Sequence, residues 1–323
     1  MKKIFALLIL AIALVSCYDD YVKDFDSNAV YFTYQTDVRS FVVGEGMKIQ
    51  IGVNLAGVME NNKDRNVGFQ IDNTLVTPAI LAAMQGGVTY IKNATLPVTT
   101  LLPIPSNYYT LSNTSTMVIK AGQHTGVITL KPDSAAFLAD AATKIPTYAI
   151  PLRITSADAD TILISKNYQV IGLKYENMLF GNYLHGGVTT VDSAGTMVKP
   201  LVYYTTVNQG DTKIWTLTTV APNALVSNGY SDQTSTTKKE LTLTLSGTNI
   251  TVSSASGSTN TYLADGASTY NAAKLLQNRK ILLNYKYVVG VKTFHCQDTL
   301  TFRNRIRDGV NEWQDENPSH YLK

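Results

Sequence analysis

Met47-Lys48-Ile49-Gln50-Ile51-Gly52-Val53-Asn54-Leu55 alternates without a break, with Ile49, Ile51, Val53 and Leu55 on one face and polar or small residues on the other. A period of two belongs to a strand with one buried and one wet face. Just before it, Gly44-Glu45-Gly46 supplies the permissive backbone of a hairpin turn, and residues 29–34 and 40–43 are rich in β-formers. This Gly-x-Gly is a turn rather than a phosphate cradle, because no helix follows to aim its N–H groups at an anion. The same pattern returns at Glu240-Leu241-Thr242-Leu243-Thr244-Leu245, leucines to one side, Glu and Thr to the other.

Outward from these two stretches, short strands are expected at 67–71, 116–120, 126–130, 148–154 and 167–173, separated by turn residues in the manner of an antiparallel sandwich. A second set follows at 181–185, 201–207, 213–221, 240–246, 249–253, 259–263, 280–289 and 292–303, which fits a barrel or a second sandwich. Two helices interrupt the first set, at 78–84 with Pro78 in its first turn and at 133–142 with Asp133 as N-cap. At about 150 residues per domain, 323 residues suggest two domains, here 29–174 and 175–323. The composition, 45% hydrophobic and 16% charged, excludes a disordered polyelectrolyte, a collagen-like repeat and a long coiled coil. The formal net charge of +3 falls to +1 without residues 1–16, which implies no nucleic-acid partner.

Lys2 and Lys3 precede an apolar run from Ile4 to Val15, the n-region and h-region of a signal peptide spanning residues 1–16. The run is shorter than the roughly 20 residues that cross a bilayer. Leu14-Val15-Ser16-Cys17 resembles a bacterial lipobox, which implies cleavage before Cys17 and acylation of its amine and thiol, a tether that holds the protein to a membrane through lipid alone. Residues 17–28 are then a lipidated cysteine and linker. Tyr18-Asp19-Asp20 resembles an acidic signal for export to the outer face of the outer membrane; read plainly, the two acids begin a solvated linker. With Cys17 acylated, Cys296 has no disulfide partner and reads as a small buried hydrophobe.

No catalytic, metal or cofactor signature stands out. The histidines at 124, 185, 295 and 320 lack ligand spacing, and His295 and Cys296, strand neighbours, point to opposite faces. His185 before Gly186-Gly187 reads as a hairpin end. Asp158-Ala159-Asp160 could be a fragment of a calcium site but reads better as a surface loop. Arg303, Arg305 and Arg307 would line one face of a strand, with local ion pairing to Asp308, Glu312, Asp315 and Glu316 as the better reading.

The aromatic inventory is the one chemical feature: 19 Tyr, 9 Phe and 2 Trp. Tyr and Trp stack on the C–H faces of sugars while keeping a polar edge hydrated. Trp215, Tyr203, Tyr204, Tyr230, Tyr262 and Trp313 are therefore the ligand-binding candidates, with core packing as the alternative for each.

Residues 24–32, Phe41-Val42-Val43-Gly44-Glu45 and residues 57–65 resemble an N-terminal domain shared by lipoproteins of polysaccharide-utilisation loci. Residues 180–187, Asp298-Thr299-Leu300 and Phe302 resemble the C-terminal partner domain. The resemblance implies an immunoglobulin-like β-sandwich followed by a lipocalin-like antiparallel β-barrel. It further implies a surface-exposed outer-membrane lipoprotein that binds glycans without catalysis, beside a SusC/SusD-like uptake complex. An adhesin or structural lipoprotein binding protein partners is the alternative, and a glycoside hydrolase stands third, since the acidic signature of the family-18 endoglycosidases that share such an N-terminal domain is missing. Asp-Ser/Thr followed by an apolar residue, at 133–135, 160–162, 192–194 and 298–300, resembles an O-glycosylation acceptor of exported proteins in such bacteria.

Overall fold

The structure, a computed structural model, describes residues 25–203, 213–228 and 240–314, with the backbone alone at 198, 199 and 201–203. The signal peptide, Cys17, Tyr204 and Tyr230 lie outside the described residues. The chain is mainly β and divides into two units: Met1–Arg39, Lys48–Asp140 and Pro146–Leu173 in the first, Ser40–Met47, Ala141–Ile145 and Lys174–Lys323 in the second.

Eleven strands precede residue 178: β1 Ala29–Tyr31, β2 Thr36–Val43, β3 Ile49–Ala56, β4 Arg65–Ile71, β5 Leu102–Pro103, β6 Tyr109–Leu111, β7 Thr116–Ile119, β8 Thr125–Pro132, β9 Tyr148–Ala157, β10 Thr161–Ile162 and β11 Tyr168–Asn177. They form two sheets, ordered β10-β1-β3-β8-β6 and β2-β11-β9-β4-β7, with β5 added to β9. The alternating stretch becomes β3, and Ile49, Ile51, Val53 and Leu55 are its buried row; Val67 and Phe69 on β4 supply the matching row of the other sheet, as in a β-sandwich. Each such side chain contributes about 1.5–3 kcal/mol by leaving water.

The first expected helix is α1, Pro78–Gln85, capped by the Thr77 hydroxyl on the Ile80 N–H at 3.3 Å. The second expected helix is shorter than its Ala-rich run: Asp133 caps Ser134–Ala139 through the Ala136 N–H at 2.9 Å, and a 3₁₀ turn continues from Ala141. Between them lies a helix not foreseen, Thr89–Thr95, whose N-cap Val88 makes no side-chain bond. These two are α3 and α2 in chain order. What holds α2 is tertiary: Ile91 and Thr95 are buried, and the Tyr90 hydroxyl donates to Asp37 at 2.6 Å.

The second unit contains β12 Gly181–Ser193, β13 Thr196–Tyr203, β14 Ile214–Ala221, β15 Ala224–Ser227, β16 Leu241–Ser246, β17 Asn249–Ser254, β18 Leu263–Ala264, β19 Ser268–Tyr270, β20 Lys280–Val289, β21 Lys292–Arg307 and β22 Val310–Glu312. The path β12-β14-β15-β16-β17-β19-β20-β21 returns to β12, so eight antiparallel strands close a barrel-like sheet. β13 and β22 extend it at β12 and β21, and β18 pairs with β20. Trp215, Leu217, Leu241, Leu243, Tyr285 and Phe302 belong to its buried interior.

Several boundaries differ from the expectation. β13 begins at Thr196, ahead of the expected 201, the stretch 259–263 is mostly not strand, and β12 runs straight through His185-Gly186-Gly187 instead of turning there. The reason lies across the seam: Gly187 has φ +133°, and a Cβ there would sit 2.2 Å from the Gln297 carbonyl oxygen. The glycine lets β12 and β21 approach, and His185 is left deep inside the barrel.

Candidate functional site

On β21 the side chains alternate, Cys296 and Asp298 inward and His295 outward. Opposite His295 stand Lys286 on β20 and Thr190 on β12, so one outward row crosses three strands. Beside this row opens a cleft of about 630 Å³, lined by Asp192, Lys286 and His295 together with Thr259, Thr261 and Thr293. His295 Nδ1 lies 2.6 Å from an Asp265 oxygen and Nε2 lies 3.1 Å from an Asp192 oxygen. Lys286 Nζ lies 3.2 Å from the other Asp265 oxygen.

Both ring nitrogens of His295 thus face carboxylates, and only the imidazolium can donate to both. The hydrogen bond to Asp265 raises its pKa above the ordinary histidine value; partial burial opposes this, and the Asp192 bond adds to the rise. Burial pushes the Asp265 carboxyl up, but the bonds to His295 and Lys286 outweigh it and hold the carboxyl below its usual range. Two carboxylates and two cations cancel. The cleft therefore presents hydroxyls, unused carboxylate lone pairs and ammonium N–H groups without net charge, next to the apolar surface of Leu263 and Val288.

The barrel interior carries a second polar group. The His185 ring stacks on Trp215 with centroids 4.5 Å apart, its Nε2 lies 3.0 Å from Asp298 Oδ2, and that oxygen accepts the Tyr285 hydroxyl at 2.7 Å. Thr189 bonds the Cys296 sulfur at 3.4 Å. Burial, and then the charge of Asp298, push the Cys296 thiol up to about 12, so it is no nucleophile at neutral pH.

A third group is ionic and buried. Glu45, at the tip of the Gly44-Glu45-Gly46 turn, accepts from Arg305 Nη1 at 2.9 Å and Nη2 at 2.8 Å, and from Arg279 Nη2 at 2.5 Å. Gly44 and Gly46 have φ of +93° and +85°, the backbone a turn here requires, but the turn is not the expected hairpin: the strands it joins, β2 and β3, do not pair and belong to different sheets. Glu312 accepts from Arg305 at 2.5 Å and also pairs with Arg307. The expected ion pairing of this arginine run is thus present, but the three arginines do not share a face. A bulge pairs Asn182 with Asn304 and Tyr183 with Phe302, so Arg303 is passed over and stays exposed while Arg305 turns inward.

Of the aromatic candidates, Trp215 and Tyr262 are 1% and 2% exposed and pack in the barrel core, and Trp313 is 56% exposed. Tyr203 ends β13, and its side chain is not described. Asp192, Asp265, Lys286 and His295 were not foreseen as a group. They come from four separate segments, so no motif marks them; the outward parity of His295 was the one available signal. Asp158 and Asp160 bond Asn66 and Asn28, and among the described residues no group of metal-binding side chains is assembled. Among the Asp-Ser/Thr positions, Asp133 caps a helix, Asp192 holds His295, and Asp298 is buried within β21.

A family model described as an N-terminal domain matches residues 25–161. No curated protein matches the chain. A crystal structure of a Bacteroides ovatus protein of unknown function is similar over 90% of this chain and 99% of its own, with a TM-score of 0.61 and 20% identity. A second Bacteroides ovatus structure of unknown function covers 90% and 100% of the two chains with a TM-score of 0.42 and 11% identity. The first likeness is one of fold.

Proposed function

We propose that this chain is a lipid-anchored outer-membrane protein, exposed at the cell surface, that binds glycans without catalysis and serves a SusC/SusD-like uptake complex. The observation that carries the reading is the charge-balanced cleft at His295. A sugar offers hydroxyls that both donate and accept together with apolar C–H faces. The cleft offers the Asp192 carboxylate, an ammonium and three threonine hydroxyls beside Leu263 and Val288. Its acid is engaged with a cation, an arrangement suited to binding more than to proton transfer.

The test is calorimetric titration of the chain from Tyr18 onward with N-glycans, mucin glycans and plant oligosaccharides, followed by product analysis. Binding without product release, weakened about tenfold by Asp192→Asn or His295→Ala, supports the reading. Silence across the whole panel overturns it. A second reading, adhesion to a protein partner, draws on the apolar hairpin tips: Met197, Val289 and Val291 are 66%, 53% and 77% exposed. Capture of purified SusC/SusD-like complex in the absence of sugar would favour that reading.

A further inference from the structure

Away from the cleft, the barrel wall carries a connected row of uncharged hydrogen-bonding side chains. Asn182 on β12 is in register with Thr216 on β14 and with Asn304 on β21, and Asn311 on β22, opposite Ile306, stands diagonal to Asn304. The bonds between them all run in one direction. The Thr216 hydroxyl donates to Asn182 Oδ1 at 2.9 Å, Asn182 Nδ2 donates to Asn304 Oδ1 at 3.2 Å, and Asn304 Nδ2 donates to Asn311 Oδ1 at 2.8 Å. Neighbours Tyr183 and Trp215 point the other way, into the core, so the row faces outward. At about 4.8 Å between strands, four positions span about 14 Å. Two residues beyond Asn311, Trp313 is 56% exposed, and Ile306, on the Asn304 side of β21, is 63% exposed.

A carboxamide has two N–H donors and two carbonyl lone pairs. The chain of bonds uses one of each on Asn182 and Asn304, which leaves a donor and an acceptor side by side on both. That pairing complements hydroxyl groups, each of which gives one hydrogen bond and accepts another. Bonds aligned head to tail also polarise one another and sharpen the groups that remain. No formal charge stands in the row to favour an ion. Asparagine is disfavoured in strands, so three joined across adjacent strands run against local propensity, a conflict that collects at functional sites. A large aromatic face exposed at the end of the row supplies the apolar platform.

We infer that this row, ending at Trp313, is a second binding surface, for a linear run of neutral sugar units lying across the strands. It rests on the glycan reading above and adds the ligand class: an uncharged chain contacted along its length.

The chain has two tryptophans, Trp215 buried and Trp313 exposed, so changes in acrylamide quenching report Trp313. The chain from Tyr18 is titrated with cello-, malto-, xylo- and manno-oligosaccharides from disaccharide to hexasaccharide. Protection of Trp313, affinity rising with chain length in at least one series, and a loss of about tenfold in Trp313→Ala and in Asn311→Ala are expected. His295→Ala should leave the length dependence in place. Sugar binding that His295→Ala abolishes but Trp313→Ala and Asn311→Ala leave unchanged overturns this inference alone. Absence of binding to every sugar, here and in the calorimetric panel, overturns it together with the glycan reading.

Discussion

Replacing Glu45 with alanine should destabilise the second unit more than almost any other polar substitution. The carboxylate accepts three charge-assisted hydrogen bonds from two guanidinium groups, and the side chains of Glu45, Arg279 and Arg305 are only 7%, 1% and 1% exposed. Its removal leaves two buried cations facing each other. Arg305 keeps Glu312, and Arg279 keeps the Met178 and Ala273 carbonyls, so the groups are not stripped entirely. Removing one partner of a buried pair costs about 3–5 kcal/mol, and these residual bonds place Glu45→Ala near 3 kcal/mol. Glu45→Gln, which keeps an acceptor and loses the charge, should cost about 2 kcal/mol. Urea unfolding followed by tryptophan emission is the assay, since both tryptophans lie in the second unit. With a urea dependence of about 2 kcal/mol per molar, the Glu45→Ala midpoint should fall by about 1.5 M. A fall below about 0.3 M would refute the reasoning. pH gives a second check. Burial raises the Glu45 carboxyl, but Arg305 and then Arg279 outweigh it and set the folded pKa below the usual value. The stabilisation is therefore complete above the unfolded carboxylate pKa and fades as pH falls through the folded one. The gap between wild type and Glu45→Ala should be flat at neutral pH and narrow in acid.

Trp215→Ala should cost about 3–5 kcal/mol, read from circular dichroism during urea unfolding, because it empties a core position. Trp313→Ala should stay within about 0.5 kcal/mol of wild type in the same experiment. In the native chain from Tyr18, Cys296 should resist Ellman's reagent at pH 8 and react only as the barrel unfolds; rapid stoichiometric labelling would contradict its burial. By proton NMR, His295 should titrate above the ordinary histidine value of about 6.5, and Asp265→Asn should bring it down. Since that folded pKa is raised, the stabilisation it reports is complete below the unfolded value and is lost as pH rises through the folded one.

What could be read in the sequence was whatever depends on neighbours in the chain. The alternation of Ile49 to Leu55, the Gly44-Glu45-Gly46 turn and the Asp133 cap all come from local sterics and hydrogen bonds, and all are present. Helix α2 was missed because its support is the distant Asp37 and a buried face, not a cap or a breaker. His185-Gly186-Gly187 reads as a turn until β21 is known to pass within reach of Gly187. The candidate site was less legible still. The cleft joins residues as far apart as Asp192 and His295, and aromatic counting cannot separate a buried Trp215 from an exposed Trp313, since both residues suit a core as well as a ligand.

The seam of the barrel pairs the first strand of the β12–β21 path with its last, and the bond between Asn182 and Asn304 closes a loop of 122 residues. Contacts of such separation form late, because chain entropy must be overcome before they contribute anything. Every hairpin from β14 to β20 can assemble during synthesis, but the wall stays open until Lys292–Arg307 has emerged. In that interval β12 and β20 both show unpaired edges, each a template for another chain. A product truncated before Lys292 would hold that state permanently, so nonsense and clipped forms of this protein should assemble into aggregates rather than remain as soluble fragments.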